Sequence, residues 1–278
     1  MTSTTSSKVY DSDQARRPII TELRNLWNYR GLLRLLVSRE LTVRYKRSTL
    51  GVWWTLLNPL LTMSVLWIIF SQFFRFEVSD VPYVVYLLSG ILLITFFSQG
   101  LISSGSAIVN SSAILSKVFV PAEVFSISAA ISAMANFGIS LLVLMAIQVI
   151  TGVGIPWTIL LVPIPALCML LFVSGLGLLV ASAAVVFYDV LDLTAVFAQL
   201  ISFLTPTFYP VSIVPDQFLP LIYANPLYSY LVVFRGFMYE GSFAPGWNFA
   251  VMIGTAIGTL LLGVWVFTRS WKSLVVVL

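Results

Sequence analysis

The chain has no histidine and a single cysteine, Cys168. Without imidazoles or paired thiolates there is no Cys/His metal site, no internal disulfide and no imidazole acid-base chemistry. Charge is scarce as well, at 9% of 278 residues. No G-x-x-x-x-G-K-[ST] phosphate loop occurs, so ATP hydrolysis by that route is excluded. The apolar stretches hold no Asp, Glu, Lys or Arg of the kind a proton relay or ion pathway needs. The polar first thirty residues contain no apolar core, so no cleaved signal peptide is expected.

What fills the chain instead is hydrocarbon, with 59% hydrophobic residues and a mean hydropathy of +0.99. That is a polytopic membrane protein. The net charge of +4 is no nucleic-acid footprint, because ten of the fifteen Lys and Arg residues precede the first apolar span. No nucleic-acid partner is expected; anionic membrane lipid is.

The chain is organised around residues 39–61. Arg39, Arg44, Lys46 and Arg47 crowd the approach, Trp53 and Trp54 follow, and the sequence then stays apolar as far as Phe74. Positive charge is retained on the cytoplasmic side and indoles settle at the headgroups, so the chain enters the bilayer here from the cytoplasm.

Residues 1–18 read as a mobile tail and 19–51 as an amphipathic helix lying in the cytoplasmic interface. On a helical wheel Leu32, Leu33, Leu35, Leu36 and Val43 oppose Arg30, Arg34 and Arg44, while Val37 and Leu41 fall among the arginines. Six spans of roughly 20 apolar residues follow, near 52–74, 83–104, 121–150, 157–188, 190–206 and 247–267. They form a transmembrane domain over 52–269, with a cytoplasmic loop at 105–120 and a cytoplasmic C-terminus at 270–278. Segment 208–246 holds a short apolar run with Arg235 inside it, too short and too charged for a lipid-facing span. It reads as an external re-entrant or interfacial hairpin broken at Pro215, Pro220 and Pro226. Backbone of that kind is tolerated at membrane depth only beside protein or a water-filled path.

Several motifs have two readings. Asn110, Ser111, Ser112, Ile114, Leu115 and Lys117 form either a solvated connector or a short helix that docks in a partner's groove. Phe96, Phe97, Phe203, Phe208 and Tyr209 either anchor at the headgroup level or present rings on which sugar faces can slide. Gly254 with Gly258, and Gly177 with Ala181, permit close helix approach without saying whether the neighbour is the same chain or another copy. Asp189 and Asp192 read as a solvated turn, since no nucleophile or metal ligand accompanies them.

With these residues in view, the chain resembles the permeases of polysaccharide ABC exporters, the type-2 ABC permease family that includes O-antigen, teichoic acid, galactan and capsule exporters. The resemblance rests on R-E-L-x-x-R-Y-K-x-S-x-L-G-x-x-W-x-x-L-x-P-L at 39–60, F-V-P-A-E-V-F at 119–125, and N-P-L-Y at 225–228 with Arg235 downstream. It implies an all-α fold of six transmembrane helices with an N-terminal interface helix, a cytoplasmic coupling helix and an external re-entrant hairpin. It also implies a homodimer in the bacterial plasma membrane, both termini cytoplasmic, served by two copies of a separate ATPase subunit that holds ATP and Mg²⁺. This chain would bind no cofactor, and its cargo would be a polyprenyl-linked glycan.

The resemblance gives residues 110–117 the coupling role. Arg39, Arg44, Lys46, Arg47 and Trp53 become the substrate entrance, and Asn225, Pro226, Tyr228 and Arg235 the external gate. One departure stands out: many relatives carry Arg-Asp after the fourth span, where here Tyr188 precedes Asp189. Two rivals remain open, a permease of the same fold for a lipid or small drug and a membrane-embedded glycan or lipid transferase.

Overall fold

The computed structural model describes residues 29–46, 51, 53–73, 81–117 and 120–277. The expected tail and first part of the interface helix, Arg47, and the loop charges Arg75, Glu77 and Asp80 lie outside the described residues. So do the side chains of Arg44 and Lys272.

Among the described residues the structure is helical. We number the α-helices α1 (Arg30–Tyr45), α2 (Trp53–Ile68), α3 (Tyr83–Asn110), α4 (Ser112–Leu115), α5 (Glu123–Ile150), α6 (Pro163–Ala184), α7 (Val190–Leu204), α8 (Leu219–Ala224), α9 (Pro226–Arg235) and α10 (Gly246–Val277). Five helical segments are long and apolar enough to cross a bilayer: Trp53–Ser71, Tyr83–Asn110, Glu123–Ile150, Trp157–Ala184 and Gly246–Ser270. The apolar α7 has 15 residues, about 22 Å of helix, and is short for a bilayer.

Side-chain pairings fix the directions. Phe96 stacks on Phe137 and Ser104 meets Ser126, so α3 and α5 are antiparallel. Phe97 lies against Phe172 and Gly177 against Ser104, so α6 runs with α3. Ser98 faces Ser202 while Arg235 and Tyr86 reach Pro206, so α7 rises as α3 descends. Phe267 joins Ile108 in one small cluster at the Asn110 end, which gives α10 the direction of α6. The bundle therefore has a Tyr83 end, carrying 205–245, and an Asn110 end, carrying α4, Lys117 and Arg269.

α3 is the axis. It packs against α2, α5, α6, α7 and α9, and Leu87, Leu88, Leu93, Phe97 and Leu101 are fully enclosed. The backbones of α6 and α10 touch, so that a Cβ on Gly175 would run into the Thr259 carbonyl and one on Gly263 into the Gly175 oxygen. Lipid is as apolar as leucine, so such helices associate through close van der Waals fit, and glycine provides it. The two small-residue pairs of the sequence separate here. Gly177 packs on Ser104 within the chain, whereas Gly254 and Gly258 open onto the surface.

Two expectations change. The α3 helix does not stop near 104 but continues to Asn110. Pro220 does not break the hairpin; it lies in the first turn of α8, where its missing N–H costs nothing.

Candidate functional site

Three features share the bundle: a turn at the Asn110 end, a buried arginine at the Tyr83 end, and a polar groove between them. At the turn, α4 is one helical turn closed by Leu115 N–H donating to Ser111 O at 3.0 Å and Ser116 N–H to Ser112 O at 2.9 Å. Asn110, Ala113, Ser116 and Lys117 face outward, while Ser111, Ser112 and Ile114 are half-buried. Leu115 is half-buried too and packs on Ile108, Ala122, Leu178, Ala181, Val264 and Phe267. It therefore anchors the turn to the bundle.

Just before the turn, the Ser104 and Ser126 hydroxyls lie 2.7 Å apart, and each is 2.9 Å from the other residue's carbonyl. Gly177 leaves the room they need. The contacts hold α3, α5 and α6 together just before the turn. Asp189 and Asp192 sit exposed at the start of α7, where the helix dipole favours carboxylates.

The basic approach lies partly among the described residues. In α1 the half-buried positions are Leu32, Leu33, Leu36, Val37, Glu40 and Leu41, a helical stripe, and α1 packs against α5. Val37 and Leu41, which the wheel leaves stranded among arginines, belong to this packed face. Leu35 and Val43, which the wheel puts on the apolar side, are exposed. Arg39, Lys46 and Trp53 are exposed as well.

At the Tyr83 end, Asn225 caps α9 by accepting from Leu227 N–H at 3.0 Å and donates from Nδ2 to Thr205 Oγ1 at 2.8 Å. Pro226 takes the first helical position. Arg235 then lies at the end of α9, 6% exposed. Its Nε donates to Ser89 Oγ (3.2 Å), Nη1 to Pro206 O (3.2 Å), and Nη2 to Tyr86 O (3.1 Å) and Thr207 O (3.3 Å). The guanidinium also lies 3.6 Å from the centroid of the Tyr86 ring. The planar fork is matched to several carbonyls at once, which an ammonium could not do. A Cβ on Gly90 would come 3.0 Å from Arg235 Nη2, so the glycine makes space for the charge.

Because α9 is enclosed by α3, α6 and α10, Arg235 is a buried charge within the bundle, outside the five long apolar segments. Arg235 is thus a buried clamp that joins the 205–209 segment to the start of α3. Tyr86 Oη reinforces it by donating to Tyr209 O at 2.8 Å. Tyr228 is half-buried and faces Tyr223. Burial, with the Tyr86 phenol beside it, raises the Tyr209 pKa and keeps that hydroxyl a donor.

The five aromatic candidates divide. Phe97 is 1% exposed and stacks on Phe172, so it is core in this chain and lines no open surface. Phe96 is buried against Phe137. Phe203 is exposed on α7, and with the half-buried Phe208 and Phe70 it makes a row of rings at the Tyr83 end. Tyr209 is half-buried beside them.

Sequence reasoning missed the groove. About 290 Å³ lies between α2, α3 and α5, closed at one side by Trp54, Phe96 and Phe137. Into it come Thr55, Asn58 and Thr62 from α2, Thr95 and Gln99 from α3, and Asn136 and Ser140 from α5. The signal was available: on each helix these residues are three or four apart, one polar stripe per span. Uncharged stripes in apolar spans draw little notice, and only the bundle shows that three of them meet.

Residues 31–239 match the ABC-2 type transporter family. The chain is 32% identical over 224 residues to the O-antigen export system permease protein RfbA of Myxococcus xanthus, covering 80% of this chain and 85% of that one. It is 24% identical over 220 residues to the O-antigen export system permease protein RfbA of Klebsiella pneumoniae, covering 78% and 84%. A helical bundle of apolar spans and a family match over most of the chain agree: this protein belongs to the ABC-2 type transporter family.

Proposed function

We propose that this chain is the membrane permease of an ABC exporter that carries a polyprenyl-pyrophosphate-linked polysaccharide from the cytoplasm to the outer face of a bacterial plasma membrane. Two copies form the conduit, each crossing six times with both termini cytoplasmic. A separate ATPase, also in two copies, holds ATP and Mg²⁺ and docks at the Asn110 end. The names of the relatives support a polysaccharide cargo. The exposed basic residues of α1 suit the pyrophosphate by charge.

The observation that carries the reading is the pinned turn. It presents Ala113, Ser116 and Lys117 outward, while Leu115 fastens it to a cluster drawn from α3, α6 and α10. A partner that binds it differently in two nucleotide states shifts the permease between two arrangements. The test is Ala113→Glu with Lys117→Glu, co-expressed with the ATPase. Normal assembly in the membrane with loss of export and of export-coupled hydrolysis is expected; normal export by the double variant overturns the docking assignment.

A further inference from the structure

We infer that the groove between α2, α3 and α5 is a binding site for a neutral polyhydroxylated group, one or two uncharged sugar units at the membrane-proximal end of a glycolipid. The inference rests on the permease reading above and goes beyond it by assigning a site and a chemical selectivity.

Among the described residues the lining contains amides and hydroxyls but no Asp, Glu, Lys or Arg. Asn58 and Gln99 each offer two donors and an acceptor, Thr62 and Thr95 offer one hydroxyl apiece, and Ser140, whose hydroxyl donates to Asn136 O at 3.0 Å, offers an acceptor, the mixture that complements sugar hydroxyls. Trp54, Phe96 and Phe137 supply rings beside them for the C–H faces of a pyranose. A volume near 290 Å³ lies at the lower edge of the range for small-molecule sites, about 300–1,000 Å³. That holds a sugar unit or two, not a polymer.

The wall formed by α2 argues that something covers the groove. Asn58 and Thr62 are exposed although they lie well inside the apolar stretch of α2. Polar side chains at that depth face a bundle interior, a cavity or a ligand rather than hydrocarbon. A phosphate is a poor occupant because no cation among the described residues lines the groove to balance it. The charged linkage of a glycolipid would instead remain with the arginines of α1, leaving the first sugars to the groove.

The experiment uses the purified full-length permease in nanodiscs and reads the fluorescence of Trp54, with Trp54→Phe as the blank. Decyl maltoside, a neutral sugar headgroup, is titrated against decyl phosphocholine, which has the same chain and a charged headgroup. Saturable quenching by the maltoside alone is expected. Gln99→Leu should weaken it about tenfold and the isosteric Thr95→Val about threefold, the scale of one or two lost hydrogen bonds. Equal response to both headgroups, or wild-type affinity in Thr95→Val, overturns the assignment. Export of surface polysaccharide by the wild-type permease with its ATPase is measured in parallel. Export without maltoside binding removes the groove and leaves the permease reading intact; binding without export removes the permease reading.

Discussion

α2 and α3 are neighbours, both apolar and both long enough to span a bilayer with their flanking turns, yet 78% of the most apolar stretch of α3 is buried inside the chain against 11% for α2. Only Pro59 and Met63 of α2 are fully enclosed, and Trp53, Trp54, Leu61, Val65 and Ile68 face outward. In water such a surface would mark a misfolded helix. In a membrane it does not, because leucine gains little on moving from lipid to protein. The difference between the two helices lies in their small residues. α3 carries Ser89, Gly90, Gly100, Ser104 and Gly105, all buried against neighbouring helices, whereas α2 presents bulky side chains that ask for lipid or a second copy.

The comparison breaks first where backbones touch. Gly175→Leu would drive a side chain into the Thr259 carbonyl and part α6 from α10, so loss of folded protein from the membrane is expected, read as abundance and monodisperse elution. Recovery of wild-type abundance would show that this crossing is looser than its geometry. Next is the clamp. Arg235→Met leaves the Tyr86, Pro206 and Thr207 carbonyls without their donor inside the bundle and should cost about 3 kcal/mol in detergent unfolding, with Arg235→Lys recovering only part. A full rescue by lysine would mean that charge, rather than the planar fork, holds the 205–209 segment.

A matched pair of leucines then tests the two helices themselves. Leu93→Ala in α3, 1% exposed, should cost about 2–5 kcal/mol through the cavity it leaves, and Leu61→Ala in α2, 53% exposed, about 0.5 kcal/mol or less. Equal losses in the isolated chain would erase the distinction between core and peripheral span. The smallest effect on stability, about 0.5 kcal/mol or less, is expected for Phe203→Ala on the exposed face of α7. If that face lines a glycan path, export rates fall severalfold while unfolding is unmoved; unchanged export would make the ring a lipid anchor.

Much of this architecture was legible in the residues. Long apolar runs mark helices because hydrocarbon tolerates no unpaired backbone. The turn at 110–117 was visible as a break in apolarity. What could not be read was the partner of each side chain: that Leu115 looks inward, that Phe97 is core while Phe203 is bare, that Val37 and Leu41 meet α5, or that seven uncharged polar residues converge.

The sequence by itself determined that this is a helical membrane protein with charge gathered at one end, since the cost of exposing peptide groups and ions to hydrocarbon depends on composition and order alone. Tertiary structure decided which apolar face is protein and which is surface, and where a buried guanidinium finds its carbonyls. Those outcomes depend on sub-ångström fit between helices far apart in the chain, and lipid, being as apolar as the core, offers no hydrophobic gradient from which the answer could be read in advance.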